Sequence, residues 1–142
     1  MKRRTVAVGW LILLSGSAFA GPAVDDAKAH FQAIAAGDLN RITDAYADHA
    51  RLNWVGGPLN GTYDGPQSIR AVWEKFVKAQ GPLKLTVDKV EESANPQGAT
   101  VTANVEFQGK QAIKVRYVLT YREGRLVSET WQIDPHLSVA GY

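Results

Sequence analysis

A chain of 142 residues without cysteine supports one domain and excludes both a disulfide scaffold and a thiolate metal centre. Its sequence pI of about 8.9 comes from a local basic excess, because three of the 16 Lys and Arg but none of the 14 Asp and Glu lie in residues 1–20. The remaining 13 basic and 14 acidic groups nearly balance, which excludes a nucleic-acid or anionic-surface footprint.

Lys2, Arg3 and Arg4 precede the apolar run Val6–Leu14, and Ala18 and Ala20 complete an A-x-A pattern. This order predicts a signal peptide over 1–20 with cleavage after Ala20. A membrane span needs about 20 apolar residues, and Ser15, Gly16 and Ser17 break the run well short of that. Residues 21–142 are then the mature domain, exported to a periplasm or secreted, with no membrane contact after cleavage.

Val24, Ala27, Phe31 and Ile34 recur at helical spacing and predict a first helix over 24–36, ended by Gly37. Asp38 suits the N-cap of a second helix carried by Leu39, Ile42 and Tyr46. "RLNWV" (51–55) alternates as a short strand, and "GGPLNGTYDGP" (56–66) reads as a loop containing Tyr63. Pro66 opens a third helix whose stripe is Ile69, Val72, Trp73, Phe76 and Val77. From residue 83 the period changes to two, giving four strands separated by "ANPQG", "QGK" and "REG". Three helices followed by a strand meander predict an α+β fold, with the helices on one face of a curved, mainly antiparallel sheet.

The closing strand, "RLVSETWQID" (125–134), sets Glu129 on one face with Val127, Trp131 and Ile133. A three-residue loop, Arg122-Glu123-Gly124, pairs Tyr117 with Glu129, Val115 with Trp131 and Leu119 with Val127. Apolar residues then meet apolar residues, whereas a two-residue loop pairs Tyr117 with Thr130 and loses that agreement. Burying a lone carboxylate costs several kcal/mol unless it is paired, neutralised or wet. Glu129 is therefore expected to be protonated, to be hydrogen-bonded to Tyr117 or His30, or to line a wet pocket.

Three stretches, "AAGDLNRITDAYADHARLNW" (35–54), "YDGPQSIRAVWEKF" (63–76) and "EGRLVSETWQID" (123–134), resemble the nuclear transport factor 2-like superfamily, in particular its SnoaL-like and ketosteroid-isomerase-like branches. The resemblance implies a cystatin-like cone enclosing a pocket open at one end. Counting from "AGDL", the tyrosine oxyanion donor of ketosteroid isomerases falls on His30. Their aspartate base falls on Trp54, and their protonated aspartic acid falls near Tyr117. The base is missing and both donors are replaced, which argues against steroid isomerisation by that mechanism.

The expected function is binding of a small, largely apolar molecule. Trp54, Trp73 and Trp131 serve as pocket wall or simple core, and Tyr46 and Tyr63 are further ligand contacts. One alternative is a metal-free acid/base enzyme (isomerase, lyase, cyclase or hydrolase) in which Glu129 moves protons and Tyr117 and His30 orient the substrate. Another is an interaction module with a closed pocket. No cofactor or metal is expected, since His30, His49 and His136 lack ligand spacing and no P-loop or dinucleotide fingerprint occurs. The resemblance also implies an outer sheet face through which family members often dimerise. Lys114 and Arg116 place charge on that face here, and a homodimer stays open.

Overall fold

The computed structural model describes residues 21–140; the expected signal peptide, 1–20, lies outside them. In chain order the elements are α1 (Pro22–Ala36), α2 (Leu39–Asp44), β1 (Tyr46–Val55), β2 (Gly61–Asp64), α3 (Gly65–Gln80), β3 (Lys84–Asn95), β4 (Gly98–Gln108), β5 (Ala112–Arg122) and β6 (Arg125–Ile133). One six-stranded sheet runs β2-β1-β6-β5-β4-β3. Every neighbouring pair is antiparallel except β1 with β6. The expected α+β architecture is present, and its helices cover the inner face of the sheet.

The periodic stripes define the core. Ala27, Phe31 and Ile34 of α1 and Ile69, Val72, Trp73 and Phe76 of α3 are buried. They meet the inner ladder of β4 and β5, where Val101, Ala103, Val105 and Phe107 lie across from Leu119, Tyr117, Val115 and Ile113. The first turn of α1 has no local side-chain cap. Instead, Glu92 of β3 accepts a hydrogen bond from the Val24 N–H at 3.1 Å. Asp38 caps α2 through Oδ1, accepting from the Arg41 N–H at 3.2 Å.

Three expectations need correction. Tyr46 does not belong to α2: the helix stops at Asp44, and Tyr46 is the first residue of a β1 longer than the alternating 51–55 segment. The presumed loop 56–66 contains strand β2, whose Tyr63 pairs with Leu52. The last hairpin closes through two residues, Glu123 and Gly124, with φ of 53° and 75°. Positive φ at both central positions fits the twist of adjoining strands, and glycine takes it without a Cβ penalty.

This shorter turn changes the register and reverses the faces at the start of β6, where Leu126 is buried and Val127, expected inward beside Glu129, is not; Glu129 and Trp131 stay inward as expected. Tyr121 pairs with Leu126 and Thr120 with Ser128, so Val127 is a bulge residue. Beyond it Leu119 faces Glu129 and Tyr117 faces Trp131, not the Tyr117–Glu129 and Val115–Trp131 pairs expected from a longer loop. A second bulge lies in β3 between Asp88 and Glu91, where Lys89 has φ of 53°. It puts Glu92 across from Val101 and Ala94 across from Ala99, on the inner face.

Gly98 closes the neighbouring β3–β4 hairpin with φ of 153°, and a Cβ there would lie 2.4 Å from the Tyr121 carbonyl oxygen. Backbone cannot yield as a side-chain tip can. Gly98→Ala is therefore expected to destabilise the fold by about 2 kcal/mol or more. Urea denaturation measures this, and an unchanged midpoint would show that the hairpin relaxes freely.

Candidate functional site

Glu129 is fully buried at the centre of the inner face. Three donors converge on it from three other elements. The Tyr46 hydroxyl, at the start of β1, donates to Oε1, and the Tyr117 hydroxyl, on β5, donates to Oε2. His30, on α1, lies 2.9 Å from Oε2 through Nε2. A carboxylate oxygen only accepts, so Nε2 carries the hydrogen. Trp73 of α3 extends the network, donating from Nε1 to the Tyr46 hydroxyl at 2.8 Å. Charge-assisted hydrogen bonds of this kind offset the cost of removing a carboxylate from water.

The phenols answer to that charge. Burial first, and then the negative charge of Glu129, push the Tyr46 and Tyr117 hydroxyls well above the ordinary tyrosine range. Tyr121, four residues further along the same face of β5, is raised for the same two reasons, with Asp26 as a smaller third. Among the described residues three buried polar atoms have no partner, and all three belong to residues of or around the cluster: His30 Nδ1, the Tyr121 hydroxyl and Trp131 Nε1.

The expected aromatic wall is a packed cluster. Trp54 and Trp131 stand 4.7 Å apart, centroid to centroid, and Trp54 and Trp73 stand 5.1 Å apart. Phe107 stacks on Trp131 at 5.2 Å. Tyr63 stays apart from the cluster, donating its hydroxyl to the Leu59 carbonyl at 2.6 Å on β2. Of the residues singled out in the sequence, the structure thus joins Glu129, Tyr117, His30, Tyr46 and Trp73 in one network. Trp54 and Trp131 pack around it, and Tyr63 is outside it.

Open space lies at one end of the cone. A cavity of about 460 Å³ is bounded by the start of α1, the β3–β4 hairpin and the β5–β6 turn, with Ala23, Asp26, Glu92, Ala99 and Tyr121 among its walls. A cleft of about 260 Å³ adjoins it across Asp26, Tyr121 and Gly124 and continues to His30, Arg41 and Arg125. Neither is lined by Trp54, Trp73 or Trp131. Tyr121 lines both spaces, and His30 carries the Glu129 network to the wall of the cleft. The sequence reading passed it over, although its place two residues after Leu119 already marks it as inward.

Residues 27–129 match the SnoaL-like domain family. Among solved structures, a nuclear transport factor 2-like protein of unknown function from Pseudomonas putida KT2440 aligns with a TM-score of 0.72 at 18% identity, covering 88% of this chain and 95% of that one. A protein of unknown function with a cystatin-like fold from Nostoc punctiforme PCC 73102 aligns with a TM-score of 0.68 at 13% identity, over 82% and 91%. An uncharacterised cystatin-like protein from Caulobacter vibrioides gives 0.65 at 17%, over 80% and 89%. At such identities the likeness carries the fold alone. No curated protein matches the sequence.

Proposed function

The chain belongs to the SnoaL-like domain family, and from that premise we propose that it is an exported protein whose cone binds a small, largely apolar molecule. The observation that carries this reading is the cavity of about 460 Å³ at the end of the cone. That volume falls in the range of small-molecule sites, which pair apolar walls with a few convergent polar groups. Ala23, Ala94, Pro96 and Ala99 supply the apolar walls, and Asp26, Glu92 and Asn95 supply polar groups. The basic, apolar and A-x-A order of residues 1–20 supports export.

N-phenylnaphthylamine, a neutral apolar fluorophore, is expected to bind with one-to-one stoichiometry. Ala99→Trp, which sets an indole in the cavity, is expected to weaken it by about tenfold or more. Probe binding indifferent to that substitution removes the cavity from consideration. Native mass spectrometry of protein from its own source tests for the natural ligand.

A second reading, metal-free acid/base chemistry, is favoured by one observation. His30 is held by Glu129 through one ring nitrogen, while the other has no partner. An imidazole oriented by a carboxylate at one nitrogen is arranged to exchange protons at the other. In this reading His30 meets the substrate, Glu129 positions the ring, and Tyr46 and Tyr117 hold Glu129. Solvent deuterium is then incorporated at the acidic C–H of a bound ketone, and His30→Gln abolishes the exchange. Exchange that survives the substitution rules out His30 as the base.

A further inference from the structure

The chain runs on past its last strand. The Asp134 N–H donates to the Lys114 carbonyl at 2.9 Å and so extends the β5–β6 ladder. A tight turn follows, in which Asp134 Oδ1 accepts from the His136 N–H and the Asp134 carbonyl accepts from the Leu137 N–H, each at 3.0 Å. The segment then crosses the outer face from β5 to β4 to β3. Asn104 of β4 donates from Nδ2 to the Ser138 carbonyl at 3.2 Å, and Asp88 of β3 accepts from the Ala140 N–H at 3.0 Å. Asp88, Asn104 and Arg116 stand in one line across the three strands. Arg116 donates to Asn104 Oδ1 at 2.9 Å, which leaves the amide N–H groups for the tail. Asn104 is 5% exposed although it lies on the outer face. Chain ends stay loose unless tied down, and this one is tied.

The last tie lands beside the β3 bulge. Lys89 follows Asp88 and has φ of 53°, a left-handed conformation that strains a residue bearing a Cβ and persists only where its surroundings hold it. The bulge decides which β3 side chains reach the cavity. Glu92 and Ala94 lie across from Val101 and Ala99 on the inner face, and both line the cavity. Without the extra residue, Glu91 and Ser93 would take those places. Glu92 would then leave the Val24 N–H that it answers at the start of α1. β3 is an edge strand paired only with β4, so a slip there breaks no second ladder.

We infer that residues 135–140 form a strap that positions the cavity wall. By tying Asp88 on the outer face, the strap holds the strained bulge, and the bulge holds Glu92 and Ala94 inward. None of residues 134–140 lines the cavity, so the strap acts on a ligand only through β3. Its ties to Asn104 and Asp88 use main-chain groups of Ser138 and Ala140.

The ligand readout of this inference rests on the binding reading above, and hydrogen exchange tests it independently. In a chain ending at Asp134, the β3 amides beyond the bulge are expected to exchange about tenfold or more faster, while those of β5 and β6 keep their rates. N-phenylnaphthylamine is expected to bind that chain about tenfold more weakly. Asp88→Ala, which cuts only the tie to β3, is expected to weaken the probe about threefold, the loss of one hydrogen bond. Asp88→Asn keeps an acceptor oxygen and with it the parental affinity. Lys89→Gly takes the left-handed conformation without strain and is expected to restore both readouts in the shortened chain. Unchanged β3 exchange, or a rise shared equally by β5 and β6, overturns the inference. If the shortened chain does not fold, Asp88→Ala and Asp88→Asn decide, and identical exchange and affinity in the two overturn it. A probe that binds neither chain, with exchange raised in β3 alone, removes the pocket reading and upholds the strap.

Discussion

Glu129→Ala is expected to lower the free energy of unfolding by about 3–5 kcal/mol, the cost of breaking a buried charged network by removing one partner. The substitution leaves two phenol hydroxyls and an imidazole N–H without an acceptor inside a closed aromatic shell. Tyr117→Phe is expected to cost less, about 1–2 kcal/mol, because Oε2 keeps His30 and Oε1 keeps Tyr46. Glu129→Gln should fall between them, since the amide keeps one acceptor oxygen but offers N–H groups where donors already point. Urea melts of the three variants give the ranking. A Glu129→Ala loss below that of Tyr117→Phe would show that the carboxylate does not organise the network.

Alkaline unfolding is the second large effect. Tyr46, Tyr117 and Tyr121 hold their protons in the folded chain beyond the usual tyrosine value near 10, through burial first and then the charge of Glu129. Below about pH 10 both the folded and unfolded chains keep these protons, and stability is intact. Above it the unfolded chain binds fewer protons, so stability falls by about 1.4 kcal/mol per pH unit for each tyrosine, and about 4 for the three. That slope unfolds a typical domain within about two to three units. Urea midpoints at about pH 9 and 11 measure the loss, and tyrosinate absorbance shows whether these phenols stay silent until the chain unfolds. Ionisation of all three near pH 10 in a folded protein would mean that the interior is open to water.

The sequence made some of this legible for identifiable reasons. Ile69, Val72, Trp73 and Phe76 mark α3 by spacing alone, and the inward position of Glu129 follows from the apolar company it keeps along β6. That inference survived an incorrect loop length, because the bulge at Val127 compensates for the shorter turn. The bulges themselves leave no sequence pattern: an extra unpaired residue looks like any other strand residue. The inward turn of Glu92 was therefore hidden. Tyr46 was misplaced because "YADHA" lacks the β-branched residues that announce a strand. The cavity escaped notice for another reason: Ala23, Glu92, Ala99 and Tyr121 converge only once two hairpin tips and a helix end meet.

The surplus residue at Val127 bears on how this protein's relatives can differ. Loss of that residue would restore an unbroken ladder with Leu126, Glu129 and Trp131 still pointing inward, so chain length can vary here without disturbing the interior. What changes is the curl that a bulge imparts to the ribbon, and this ribbon's tip, Glu123 and Gly124, forms one rim of the opening. Aperture and interior chemistry are thus separable traits: deleting one residue here alters the first, while packing holds the second.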